Sequence, residues 1–362
     1  MALLFVSHNI SISQMKILAL WEGMSGVEYH RLYIPLKRLQ IDHVVEVSIS
    51  QNFTRDGLPA LKDYDLVIFN RYMGELHYEI LETLARYGVP YIVDVDDYWV
   101  LPKGHPTYKW FRLNNVKQAI IDGMKYADGV TCTTEALAAK IRGINPHVSI
   151  LPNALDLTDE QWLQPKQQRD VMTFGWVGGL THADDIQIIS DAINAMCDKW
   201  GDRVRFVLCG WMPNNWMWDS ILYRFNGGST TLRPQVVVSQ AQAPNEYGNF
   251  YRLFDVALAP LAETTWNGCK SELKIVEAAA YGLPVIASNV SPYTNHADNK
   301  GVQLVENRTD AWFRVMDWHM TNDVKQYGII NQVYCQQHHN LETINAKRLE
   351  FYANRIQKTV RN

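Results

Sequence analysis

Short apolar runs alternate with longer amphipathic stretches along most of the chain. Lys16–Leu20, Val44–Ser48, Tyr64–Phe69 and Pro90–Val93 read as strands, and residues 27–39 and 75–87 between them carry apolar side chains at helical spacing. A run such as YDLVIF, apolar almost throughout, is what a parallel strand covered on both faces requires. The alternation continues with helix 112–126, a strand and helix in YADGVTCTTEALAAKI capped by Thr133 or Thr134, and strand 148–151. A polar run, 158–170, then reads as a linker, with Pro35 earlier marking a kink in its helix. Beyond the linker the pattern starts again: strand Val171–Trp176, helix 182–199 with Thr181 as N-cap, strands 203–209, 236–239 and 256–259, and helices over 309–360. Repeated strand–helix units predict an α/β protein with two doubly wound sheets. The expected division is an extension at 1–14, in which Ala2–Ser7 forms an added strand or the segment packs loosely, a first domain at 15–157, a second at 171–340, and a final helix at 341–362.

The stretch Lys270–Ser288, KSELKIVEAAAYGLPVIAS, organises the second half. Residues 271–281 lack Gly and Pro and place Leu273, Val276 and Ala280 on one face, while Gly282 and Pro284 stop the helix before the strand Val285–Ala287. Ser271 is the expected N-cap, and Lys274 rather than Glu at the third helical position leaves no capping box. Unpaired N–H groups and partial positive charge at such a helix start suit a phosphate, and Lys270 and Lys274 add to them. Glu277 follows on the same face, where a carboxylate can accept from two ribose hydroxyls. The same periodicity also fits an amphipathic helix with solvated Lys and Glu.

Four other places carry candidate chemistry. In WEGMSGVEYHR, Gly23, Ser25 and Gly26 permit a tight turn and close backbone approach to a ligand, without the full dinucleotide fingerprint; His30 and Arg31 are cleft residues or solvated helix positions. Asp94, Asp96 and Asp97 close a strand, where ligands of open α/β sheets bind; the cluster reads as a metal site, as acid/base or acceptor-binding groups Asp96 and Asp97, or as a turn cap, with His105 in the same loop. Gly175, Gly178 and Gly179 form a turn able to cradle phosphate, but Asp184 and Asp185 in the next helical turn would repel it, leaving His182 and main-chain amides. Trp211, Trp216 and Trp218 fall in one expected loop as a candidate wall of a binding cleft, and Arg233 is a candidate to frame a base.

The block from Glu277 to Ser288, together with ILPNALD at 150–156 and the GWVGG loop, resembles the GT-B glycosyltransferases, particularly the retaining family 4. The resemblance implies two Rossmann-like domains facing a cleft, with the C-terminal helix crossing back onto the first. It implies a nucleoside-diphosphate sugar as donor, with UDP or GDP expected, and neither a metal nor a further cofactor. It assigns Gly178, Gly179, Lys270, Ser271, Lys274 and Glu277 to the donor, with His182 standing in for the Arg and Lys that many relatives carry in the glycine loop, Gly23, Ser25, Gly26 and Asp96 to the acceptor side, and Asp97 and His105 to catalysis. In the family's mechanism the acceptor attacks from the leaving-group side and the departing phosphate takes its proton. The family's first acidic residue falls on Cys269, so the usual contact to the donor sugar is missing unless Glu272 or Glu263 replaces it. A GT-B sugar-nucleotide epimerase and a non-catalytic sugar-nucleotide binder share these features.

Composition adds limits. The chain has 362 residues, 47% hydrophobic and 20% charged, enough for two cores. A net charge of −4 gives no global case for stable nucleic-acid binding, although a local groove for a modified DNA base is compatible with it, as are a glycan or lipid-linked acceptor and peripheral membrane contact. Five widely spaced cysteines without CxxC, no long apolar run and a poor signal-peptide pattern lead to the expectation of a cytoplasmic protein.

Overall fold

The computed structural model describes residues 15–359, except 22, 24, 43 and 44. The expected extension at 1–14 lies outside the described residues. Two six-stranded sheets organise the chain, each parallel throughout. The first contains β1 (Lys16–Trp21), β2 (Glu46–Gln51), β3 (Leu66–Asn70), β4 (Tyr91–Val95), β5 (Gly129–Cys132) and β6 (Val148–Ile150), in the order β2-β1-β3-β4-β5-β6. The second contains β7 (Met172–Val177), β8 (Val204–Trp211), β9 (Val236–Gln240), β10 (Val256–Ala259), β11 (Val285–Ser288) and β12 (Val302–Val305), in the order β12-β11-β10-β7-β8-β9. Strands β3, β4 and β5 are buried from end to end, the reason their sequences show no polar alternation.

Several boundaries differ from the sequence pattern. β2 is shifted toward the C-terminus relative to Val44–Ser48, and Val44 itself lies outside the described residues. The helix expected at 112–126 is two, Tyr108–Leu113 and Val116–Tyr126, broken where Asn115 adopts a left-handed φ of 51°. The tryptophan-rich segment is mostly helix, Trp216–Phe225: Trp218 is buried against Trp176 and Trp216 is 77% exposed, so the expected aromatic wall does not form. Arg233 pairs with Asp198 at 3.2 Å, away from any cleft lining. The linker is anchored: its short helix Glu160–Leu163 buries Trp162, and Gln161 Oε1 accepts from the Gly248 amide at 2.7 Å.

The chain crosses between the sheets twice. After helix Lys325–His338 a bridge pairs Asn340 with Leu155, and helix Leu341–Thr359 then lies on the first lobe. Its Tyr352 and Ile356 are buried with β1 residues Ile17, Ala19 and Trp21, and Asn345 Nδ2 donates to Pro35 O at 3.0 Å. Gly129 of β5 makes room for it: a Cβ there would stand 2.6 Å from the Phe351 ring. The final helix thus fills a gap in the first core that residues 15–157 leave open.

Candidate functional site

A cleft of about 530 Å³ opens where the two sheets face each other. On the first-lobe side, Ser25 starts a helix with a capping box: Val27 N donates to Ser25 Oγ at 3.1 Å, and Ser25 N donates to Glu28 Oε2 at 3.2 Å. The helix widens into a π turn at Tyr29–Tyr33 before resuming at Ile34–Ile41, with Pro35 in the resumed first turn. The wide turn directs both His30 and Arg31 inward, so neither is the solvated helix residue that spacing also allowed. Arg31 is a strut: Nε and Nη2 grip Asp94 at 2.9 and 2.8 Å, and Nη1 reaches Leu151 O at 2.6 Å and Asn153 Oδ1 at 3.1 Å. Asp94 is therefore consumed by the scaffold, and Thr131 Oγ1 donates to it as well.

Asp96 and Asp97, in the loop after β4, line the cleft and differ in character. Burial pushes Asp96 up to about 6, although Arg71 lies 3.2 Å away. Burial would also raise Asp97, but the cations Lys270 and Arg71 outweigh it and hold this carboxyl below the usual range. Arg71 keeps its place with a left-handed φ of 46°, strain of the kind found where a side chain must be aimed. Two expected residues stand outside the lining. His105 is half-buried with its ring edge-on to Trp266 at 5.3 Å, and Gly23 turns the chain with φ 127°.

On the second-lobe side the helix is Leu273–Ala280, with Glu272 rather than Ser271 as the N-cap residue and no side-chain cap. Ser271 is used otherwise: its Oγ accepts from Asn153 Nδ2 at 2.8 Å, joining the lobes beside the helix mouth. Lys270 Nζ lies 3.9 Å from the Trp266 ring centre, and Lys274 Nζ donates to Val177 O at 2.5 Å. Burial, then neighbouring Lys270, lower Lys274 to about 8. Glu277 is buried; burial raises it to about 7 against the Tyr251 hydroxyl, which donates to Oε2 at 2.6 Å. His30 Nε2 lies 3.7 Å from Glu277 Oε1, but burial lowers His30 to about 4, so this is a contact with a neutral ring.

Gly178 and Gly179 also line the cleft; a Cβ on Gly178 would strike the Trp176 ring at 2.3 Å, whereas Gly179 faces open space. Neither Asp184 nor Asp185, expected to repel a phosphate here, lines the cleft. Asp184 is exposed, and Asp185 is buried, accepting from the Ala262 amide at 2.7 Å, from Asn267 Nδ2 at 3.0 Å and from His182 Nδ1 at 2.6 Å. Burial and Lys274 lower His182 to about 4, so its other nitrogen is an acceptor and brings no charge.

The position of the missing family acid is closed. Cys269 is buried within the apolar core of the first lobe, burial raises its thiol, and the sulfur is a packing group at the lobe junction. Neither proposed replacement lines the cleft: Glu263 is exposed and Glu272 is buried elsewhere. Sequence reasoning missed Asn153, Tyr247 and Tyr293, all at the cleft. Asn153 lay inside the ILPNALD match, a usable signal. The two tyrosines sit in short 3₁₀ turns, Tyr247–Leu253 and Tyr293–His296, whose sequences have no periodicity to read.

Two Rossmann-like lobes about an open cleft, tied by a returning terminal helix, define the GT-B class. Residues 172–322 match the family model described as glycosyl transferases, group 1, and the chain as a whole has the GT-B fold. Sucrose-phosphate synthase from Thermosynechococcus elongatus is similar in structure, with TM-score 0.68 and 13% identity over 94% of this chain and 98% of that one. Anabaena HepE, solved in complex with UDP-glucose, gives 0.67 and 14% over 94% and 100%. UDP-GlcNAc 2-epimerase from Neisseria meningitidis, bound to UDP-GlcNAc, gives 0.57 and 11% over 94% and 100%. Comparison with curated protein sequences finds no match. No helix among the described residues is long and apolar enough to cross a membrane.

Proposed function

We propose that the chain is a retaining glycosyltransferase that moves a sugar from a UDP- or GDP-sugar to an acceptor hydroxyl. The observation carrying this reading is the convergence of Lys274 and Glu277 from one helix, Lys270 from the turn just before it and Asp97 of the opposite lobe in a single cleft. The diphosphate docks at the mouth of helix Leu273–Ala280 between the two lysines, and the ribose hydroxyls donate to Glu277. Growing negative charge on the leaving diphosphate is stabilised there, the largest usual contribution to such catalysis. The sugar then lies toward Asp97 and His182. Asp97 is ionised and accepts from sugar or acceptor hydroxyls, and neutral His182 accepts from a hydroxyl. Asp97 thereby takes over the sugar contact that Cys269 does not make. The departing phosphate takes the acceptor proton, so no protein nucleophile is required.

The epimerase reading is favoured by one observation, the structural likeness to a UDP-GlcNAc 2-epimerase. Incubating the chain with a nucleotide sugar alone, then with glycan, lipid-linked and hydroxymethylated-DNA acceptors, separates the two. We expect nucleoside diphosphate release that depends on an acceptor and keeps the anomeric configuration. Conversion of the sugar nucleotide without acceptor, or an inverted product, would overturn the proposal.

Donor affinity should depend on pH in a bell. Ribose binding favours ionised Glu277, so affinity rises as pH passes about 7; diphosphate binding favours charged Lys274, so affinity falls above about 8. Titration calorimetry across this range should place the tightest binding between those values, and Glu277→Gln should remove the acid limb alone.

A further inference from the structure

Glu272, His296 and His339 form a buried cluster that the transfer reaction does not use. They converge from three elements: the residue preceding helix Leu273–Ala280, the turn Tyr293–His296, and the residue closing helix Lys325–His338 just before the chain returns to the first lobe. One nitrogen of each ring and one carboxylate oxygen all lie within 4.8 Å of one another. None of the three lines the nucleotide cleft.

Two features separate this cluster from an ordinary buried polar contact. Glu272 is 8% exposed, and although Asn295 and its own backbone contact the carboxyl group, its Oε2 has no hydrogen-bond partner, an unmet acceptor that a cation would satisfy. The His339 ring is held by its other nitrogen: Nδ1 donates to Asn153 O at 2.9 Å, which leaves Nε2 with a free lone pair. A backbone carbonyl behind an imidazole is the outer contact that metal-binding histidines usually carry. The His296 ring stacks parallel to it, 5.5 Å between centres and 6° between planes. The competing contact is the Asn299 amide, 3.4 Å from His296 Nδ1; its shorter bond, 2.8 Å, goes to Asn331.

We propose that Glu272, His296 and His339 bind a divalent transition-metal ion of the zinc class. Two imidazoles and one carboxylate suit such an ion better than magnesium or calcium, which prefer all-oxygen shells. Zinc holds nitrogen and oxygen ligands at about 2.0–2.2 Å, so the three groups must draw together by roughly 1 Å, and the rotatable Glu272 side chain supplies much of that movement. A water completes the coordination. His339 also borders a second cavity of about 160 Å³, rimmed by the exposed Gln336 and Glu342. The bound ion ties the donor-helix end to the point where the chain recrosses, and through Asn153 to Ser271. Its role is structural, so the proposal stands apart from the transfer reaction.

The test uses the full chain, stripped with a chelator and titrated with Zn²⁺ against a chromophoric competitor, and with Co²⁺ for its visible ligand-field bands. We expect a single equivalent bound, with affinity falling at least about 100-fold, the upper end of what losing an outer contact costs, in His296→Ala and His339→Ala. His338→Ala, which removes the exposed neighbouring imidazole, should bind as wild type. Glu272→Gln preserves shape and serves if the alanine variants do not fold; it should lose binding while its circular dichroism and melting remain native-like. Absence of micromolar binding, or binding that persists in folded His296→Ala or Glu272→Gln, would overturn the site. Because the ion is read directly, neither outcome depends on a donor or an acceptor.

Discussion

Replacing Glu277 with alanine is expected to abolish the thermal stabilisation that a nucleoside-diphosphate sugar gives the wild-type chain. At a ligand concentration 100 times the dissociation constant that stabilisation is about 2.7 kcal/mol. The loss should be nearly complete because Glu277 is the one carboxylate the second lobe brings to the cleft among the described residues: Glu272 and Glu263 do not line it, and Asp96 and Asp97 belong to the opposite lobe. The unliganded variant should still fold. Glu277 has a folded pKa raised by burial, so its contribution to stability is fully present below the ordinary Glu value and is lost as pH rises through about 7. Above that pH the wild type carries the cost of a buried charge, and the variant does not. This offsets the hydrogen bond that Tyr251 loses. Differential scanning fluorimetry with and without donor checks the result, and an undiminished donor shift in the variant would remove Glu277 from the ribose.

The second large effect is expected at Lys270. Lys270→Ala should lower kcat by about 10²–10³-fold, the range for removing one group that stabilises developing charge. KM should change less, since Lys274 and the helix mouth still hold the ground-state diphosphate. A further consequence separates this role from simple packing. Lys270 is the foremost cation holding Asp97 down, so without it the Asp97 carboxyl rises and the acid limb of the kcat–pH profile moves to higher pH. Steady-state kinetics over pH give both readouts. A kcat within a few-fold of wild type, with an unmoved acid limb, would place the leaving group elsewhere.

Much of the fold was legible because its strands are short, apolar and spaced by amphipathic helices. Glu277 and Lys274 were legible for the same reason, since both sit on a regular helix whose face periodicity discloses. What the sequence could not show was burial at irregular backbone. The π turn that turns His30 and Arg31 inward follows no regular spacing, and the turns bearing Tyr247 and Tyr293 carry no pattern at all. Asp185 illustrates a different limit. Its charge looked hostile to phosphate only because the chain gave no hint that the amide of Ala262 and the side chains of Asn267 and His182 would surround it. The tryptophans of 211–218 misled because aromatic content does not distinguish a cleft wall from a helix face packed on a core.

The returning helix also governs how the molecule can be dissected. A single cut in the stretch 158–170 would strand Tyr352 and Ile356 on the wrong fragment, leaving the β1 surface they cover bare to water. The first half so produced would lack part of its own core. Two cuts, or a permuted chain that joins 341–359 ahead of residue 15, would be needed to obtain the first lobe alone.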